Sequence, residues 1–249
     1  VVHYLIEEIA SSGIEEIVLI TGPDRSQNLF QEYIDQEIKS SYKINFSFRT
    51  QRTPLGMLDA LKHAPHDEAA AVLVGDDLLI SSPPPLKKVI ETFHRTQKPT
   101  IGLLKIPKEM AKYYGMAEVK KENKELKIIN LIEKPQKLED VPSDLSIFGR
   151  YIITPEIFSI IRKMDVETGR EIFLPDAFQI YLQDGGTIYG QELKGDRFDA
   201  GSKAGLIKAQ IYFGLKDKDL KHEILEFISY KLHLMNKTAQ KRTKKRKLK

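Results

Sequence analysis

Five side chains in this sequence stand in or beside loops that follow expected strands, and their types suit phosphate and sugar chemistry. Asp76 follows the run Ala69–Val74, in Gly75-Asp76-Asp77. In an open parallel sheet the ligand crevice lies at the carboxyl ends of the strands. A carboxylate there can hold magnesium, which takes one or two carboxylates and completes its shell with phosphate oxygens and water. Gly-Asp is also ordinary turn chemistry, and this stretch alone leaves both readings open. Asp199, in GDRFDA at 195–200, is a second carboxylate at a strand-to-helix loop, so the two could share one cation. Glu133 and Lys134 close the run Lys127–Ile132 just before Pro135. A glutamate can accept from two sugar hydroxyls, and a lysine ammonium is a compact charge for a phosphate. A solvated ion pair would look the same. Gln51 offers an acceptor and a donor pair to a base edge, and Gly56 lets backbone approach a planar ring.

The surrounding pattern supplies elements to position these groups. Val2, Leu5, Ile6 and Ile9 fall on one face of a helix over Val1–Ser11. Glu16–Thr21 and Ala69–Val74 are short apolar runs of the kind buried on both faces of a sheet, and Ile44–Thr50 alternates as a half-buried or edge strand does. Helices over Ser26–Ser40 and Met57–His63 lie between them. Strands alternating with helices imply right-handed crossovers and a mostly parallel α/β sheet. Further strands are expected at Thr100–Leu104, Met116–Val119, Lys127–Ile132, Ser146–Thr154 and Gly186–Leu193. Helices are expected at Leu86–Thr96, Pro155–Met164, Ala204–Phe213 and Asp217–Met235.

Composition sets the remaining bounds. The 249 residues suit one large α/β domain or two small ones, and 41% are hydrophobic. No apolar run reaches membrane-helix length, and the opening VVHYLIEEIA mixes charge into an amphipathic helix unlike a signal peptide. The absence of cysteine excludes disulfide and thiolate chemistry and fits a reducing cytoplasm. The net charge of +4 is concentrated in Lys241–Lys249, where seven of nine residues are basic. Those cations could attract phosphate, but no aromatic residue is interleaved for nucleic-acid binding. A solvated, disordered tail is the expectation. A start at Val, almost directly in a helix, suggests a missing N-terminal piece.

Taken in order, VVHYLIEEIASSGIEEIVLIT, QRTPLGMLDA, VGDDLL, YYGMAEV, IINLIEKP, SDLSIFGRYIITPEIF, GREIFLPDA and KGDRFDAGSKAG resemble the bacterial UTP–glucose-1-phosphate uridylyltransferases of the sugar nucleotidyltransferase superfamily. The likeness covers residues 1–214, the expected nucleotidyltransferase domain, with a C-terminal helix over 215–236 and a basic tail over 237–249. It implies a Rossmann-like sheet flanked by helices and attack of glucose 1-phosphate on the α-phosphorus of UTP, giving UDP-glucose and pyrophosphate. By the same resemblance, Asp76 and Asp199 hold magnesium, Gln51 and Gly56 sit at uracil, Glu133 binds glucose hydroxyls and Lys134 the sugar phosphate. Gly115 lets backbone approach the sugar, Glu171 lies near it and Lys194 faces the phosphates. Lys134 and Lys194 are the expected catalytic cations.

The sequence also departs from the family. The first strand and glycine-rich loop, GxGTRxxPxTKxxPKE, have no counterpart, which leaves the sheet without a strand between Glu16–Thr21 and Ala69–Val74. The family's Gly-His in the uracil loop is Leu58-Asp59, and the Asn of its PSN segment is Asp144. A thymidylyl- or other sugar-1-phosphate nucleotidyltransferase and a non-catalytic sugar-phosphate-binding subunit are the competing readings. No membrane partner is implied, and a homo-oligomer is compatible with the sequence.

Overall fold

Helix α1 forms over Val2–Ser11, where the expected apolar face buries Leu5, Ile6 and Ile9. The computed structural model describes residues 1–23, 26–53, 55–164 and 172–247. Two units divide the chain, Val1–Arg197 and Phe198–Lys249.

In the first unit α1 leads to β1 (Glu16–Thr21), α2 (Ser26–Tyr33), β2 (Asn45–Thr50), α3 (Met57–Lys62), β3 (Ala70–Leu73) and β4 (Asp77–Ile80). Then come α4 (Pro85–Thr96), β5 (Thr100–Lys105), β6 (Gly115–Glu122), β7 (Glu125–Glu133), β8 (Leu145–Ile153), α5 (Pro155–Lys163), α6 (Leu174–Gln183) and β9 (Ile188–Leu193). The short strand β10 (Asp196–Asp199) begins in this unit and runs past its last residue, Arg197. The helix expected over Ser26–Ser40 is α2 followed by a π-helical turn at Ile34–Ile38, which buries both isoleucines completely.

Six strands form one sheet in the order β3-β8-β5-β9-β7-β6. Strand β8, between β3 and β5, has all nine residues buried. Alternate residues serve opposite faces, as strand geometry requires. Ile147, Tyr151 and Ile153 enter the core with α5 and α6, whereas Phe148 and Ile152 enter the core with α4. An α/β sheet flanked by helices is thus present. Its ladders are more mixed than the strand–helix alternation suggests. β5–β9 and β1–β2 are parallel, while β3–β8, β5–β8, β6–β7 and β7–β9 are antiparallel. The cause is local: β6 and β7 are joined by a two-residue turn at Asn123, which adopts φ 56°, and a turn that short can join only antiparallel strands.

Strand β1 bonds to β2, and β3 to β8; among the described residues no ladder joins β1 to β3. Side chains do join them. Ala71 and Leu73 of β3 pack on the cluster of Ile6, Ile17, Ile34, Ile38 and Leu86. Ala70, Val72 and Val74 pack on the opposite core. That division explains the unbroken apolar run of β3. A buried ion pair adds to the join. Arg150, wholly buried in β8, donates from Nε and Nη2 to the two carboxylate oxygens of Glu8 in α1 at 2.9 and 2.7 Å. Glu8 also accepts from the Leu86 N–H at the start of α4.

The second unit contains α7 (Lys203–Lys216) and α8 (Lys221–Lys247). Ser202 caps α7, its hydroxyl accepting from the Gly205 N–H at 3.0 Å. The backbone stays helical through the basic run to Lys247, past the limit at 236 read from the sequence. Residues 221–247 contain no glycine or proline, and lysine and arginine are good helix formers, so nothing there stops α8. No helix among the described residues is long and apolar enough to cross a membrane.

Candidate functional site

A cavity of about 160 Å³ lies in the first unit where β6 begins and β7 ends, over the middle of β8. Drug-sized sites run to roughly 300–1,000 Å³, so this one suits a single sugar ring. Its walls are Tyr114, Gly115, Glu133, Gly149, Tyr151 and Phe173, with Val74 and Asp77 from the β3–β4 turn. Gly115 and Gly149 keep it open. A Cβ on Gly115 would lie 2.7 Å from Glu133 Oε2 and 2.8 Å from Ile147 Cδ1, and one on Gly149 would lie 2.7 Å from Val74 Cβ. Tyr151 is stacked on Phe178, and burial, followed by the negative charges of Glu133 and Asp77, pushes its phenol pKa well above the usual value. The ring therefore presents a neutral hydroxyl.

Glu133 and Lys134 lie where expected, at the end of β7. Lys134 turns the chain with φ 46°, a left-handed conformation that costs a side-chain-bearing residue about 1–3 kcal/mol. Its N–H donates to the Tyr114 carbonyl at 3.2 Å. The ammonium stands 4.4 Å from the centre of the Phe173 ring and 3.7 Å from Glu133 Oε1. With the lysine side chain 44% exposed, that ion pair is loose and leaves the ammonium available to an anion.

The two aspartates after β3 divide in function. Asp77 is buried, and both its oxygens accept from Arg197 at 2.8 Å while Oδ2 also accepts from the Gly149 N–H at 3.3 Å. Arg197 in turn lies 4.2 Å from the centre of the Tyr114 ring. Asp76 is exposed and makes no hydrogen bond among the described residues. Of the pair, Asp76 has the carboxylate that is open to a cation from solvent, whereas that of Asp77 is buried against Arg197. Asp199, in the second unit, is half-buried and accepts from the Gly201 N–H at 3.1 Å through Oδ1, which leaves Oδ2. Carboxylate oxygen is the donor a hard divalent cation requires, so each residue, taken by itself, has the right donor type.

Gln51 is buried at the end of β2. Its Nε2 donates to the Gly56 carbonyl at 3.0 Å and to Asp59 Oδ2 at 2.7 Å. Gly56 has φ 97° and starts α3. The donor pair is therefore engaged within the loop, and Oε1 is the atom left to a ligand. Lys194 is exposed directly after β9. Glu171 lies outside the described residues.

The nucleotidyl transferase family model matches residues 1–213. The chain belongs to the nucleotidyl transferase family. The UTP–glucose-1-phosphate uridylyltransferase of Bacillus subtilis (strain 168) is 31% identical over 248 residues, covering 91% of this chain and 84% of that protein. A UDP-glucose pyrophosphorylase solved with UDP-glucose superposes with a TM-score of 0.74 at 28% identity, covering 86% of each chain. The UTP-bound enzyme of Acinetobacter baumannii gives 0.72 at 27% identity, over 91% of this chain and 86% of that one.

In this nucleotidyl transferase several site residues were not singled out from the sequence. Tyr114, Gly149, Tyr151 and Phe173 wall the cavity, and Asp77 with Arg197 braces it. One signal was present: Gly149-Arg150-Tyr151 interrupts an otherwise apolar strand. A glycine there marks a close approach, and a buried arginine requires a carboxylate partner.

Proposed function

We propose that the protein is a UTP–glucose-1-phosphate uridylyltransferase that works with magnesium in the cytoplasm. The observation that carries the reading is the Glu133-Lys134 pair, a carboxylate over Gly115 in a sugar-sized cavity with an ammonium beside it. Family membership and the similarity to uridylyltransferases support it.

In this reading Glu133 accepts from glucose hydroxyls, and Tyr151 offers a neutral hydroxyl. Lys134 holds the sugar phosphate so that its oxygen lies in line with the α-phosphorus of UTP. That oxygen forms the new P–O bond as the bond to the β-phosphate oxygen breaks and pyrophosphate leaves. Such a reaction gains most from positioning and fixed charge. Asp76 and Asp199 would hold magnesium, which supplies charge neutralisation at the phosphates when bound, and Lys194 adds a cation there.

The test is to incubate the protein with UTP, glucose 1-phosphate and magnesium and to quantify UDP-glucose and pyrophosphate. Equimolar products are expected, with UTP preferred over dTTP. Transfer from dTTP in preference to UTP would reassign the nucleotide, and absence of transfer would remove the reading.

A further inference from the structure

Gln51 and Asp59 form a lock at the mouth of the β2–α3 loop. An amide side chain can present either its oxygen or its nitrogen to a ligand, since the two ends are nearly the same shape. Here both hydrogens of Nε2 face groups that can only accept: the Gly56 carbonyl at 3.0 Å and the Asp59 carboxylate at 2.7 Å. Turning the amide over would set Oε1 against two oxygens. The Asp59 contact is the charge-assisted one and therefore the stronger of the two. Asp59 sits in the first turn of α3, where the helix N-terminus also favours its charge. Gln51 is 8% exposed, so its amide lacks the water that would satisfy a flipped orientation.

We propose that Asp59 is a specificity-determining positioning residue: it fixes the Gln51 amide so that only an acceptor, Oε1, is offered to the nucleotide base. The proposal rests on the uridylyltransferase reading for the placement of the base at Gln51, and it adds a residue that touches no substrate. An acceptor pairs with the N3–H of uracil or thymine. Cytosine carries a lone pair at N3, so the fixed amide rejects it. A site built around one hydrogen bond discriminates strongly because the wrong partner leaves a buried polar atom unpaired. The lock separates imide pyrimidines from cytosine and does not separate UTP from dTTP.

The test compares equilibrium dissociation constants for UTP and CTP, by titration calorimetry with magnesium, in the parent, Asp59→Ala and Asp59→Asn proteins. Alanine is a strong helix former, so the first substitution leaves α3 intact, which circular dichroism and melting verify. The parent should prefer UTP, and Asp59→Ala should cut that preference about ten-fold or more. Asp59→Asn keeps an acceptor toward Nε2 and should retain most of the preference. An unchanged ratio in Asp59→Ala, an equal loss in both variants, or a parent without preference would each overturn the proposal. Binding is read apart from turnover. A UTP preference lost in Asp59→Ala, in a protein that makes no UDP-glucose, would uphold the lock and remove the uridylyltransferase reading.

Discussion

Asp76 and Asp77 are neighbours with the same charge, yet their environments give them opposite duties. Arg197 and the Gly149 N–H occupy the oxygens of Asp77, whereas those of Asp76 face solvent. Asp76→Ala should therefore abolish magnesium-dependent turnover with the melting temperature unchanged, and Asp199→Ala should behave alike. Asp77→Ala should instead leave Arg197 uncompensated and cost about 3 kcal/mol of stability, read by denaturant titration. Near-normal turnover in Asp76→Ala would remove it as a ligand. Lys134 separates its two roles in the same way. Lys134→Gly relieves the left-handed backbone and removes the ammonium. Stability should hold or rise while the KM for glucose 1-phosphate climbs at least ten-fold, about 1.4 kcal/mol of lost binding. Tyr151 gives a pH dependence. Its folded-state pKa is raised, so above the ordinary tyrosine value of about 10 the unfolded chain loses a proton that the folded protein keeps. Stability then falls as pH rises past that value. Tyr151→Phe should flatten this alkaline loss in melts taken from pH 8 to 11, and an equal slope in both proteins would remove Tyr151 as its source. Glu133 and Lys134 could be picked out in the sequence because they close the apolar run of β7, and Asp76 because it follows that of β3. Arg197 could not, because its partner lies 120 positions away.

Element by element, legibility followed period and length. α1, β1, α4 and β5 begin and end within about a residue of expectation, since each has a clear apolar period or run and a marked stop. Of the two four-residue strands, β10 fell in a stretch read as a loop and β4 was not assigned. Four residues are too few for an alternation to show, and β4 follows its turn at once. The π-helical turn at Ile34–Ile38 had no local signature, and Gly149-Arg150-Tyr151 marks Arg150 without naming its partner. Glu8 shows why: in the sequence it is one of two glutamates in an amphipathic helix, and only the fold selects it. It binds Arg150 twice and the Leu86 N–H once, tying α1 to β8 and to α4. Glu8→Ala strands a wholly buried guanidinium and should cost about 3–5 kcal/mol. Glu7→Ala, on the exposed face, should cost less than about 0.5 kcal/mol. Equal losses in the two variants would show that the clamp adds nothing beyond helix propensity.

At the scale of the first unit, the sheet order could not be read from the chain, because strand neighbours are chosen by packing across distant segments. The consequence that can be measured is the join between β1 and β3. Ala71 and Leu73 share a core with Ile17 and Ile34, so the two strands are held together by apolar contact. Among the described residues, ladder hydrogen bonds hold β1 to β2 alone and β3 to β8 alone. In a strand bonded on one side, alternate amides point away from the partner and exchange with solvent without unfolding. In β8, flanked by β3 and β5, amides on both sides are bonded. Exchange of a bonded core amide requires opening that can approach the whole stability of a domain, about 5–15 kcal/mol. Hydrogen exchange resolved by residue should therefore show alternating protection along Glu16–Thr21 and along Ala70–Leu73, and protection of both Tyr151 and Ile152 in β8, which pair on both sides. An open edge is also a template for association, so the measurement belongs at low protein concentration and again at high. Uniform protection along β1 at both concentrations would mean that its second edge is paired. Protection that appears only at high concentration would show that edge meeting another copy of the chain.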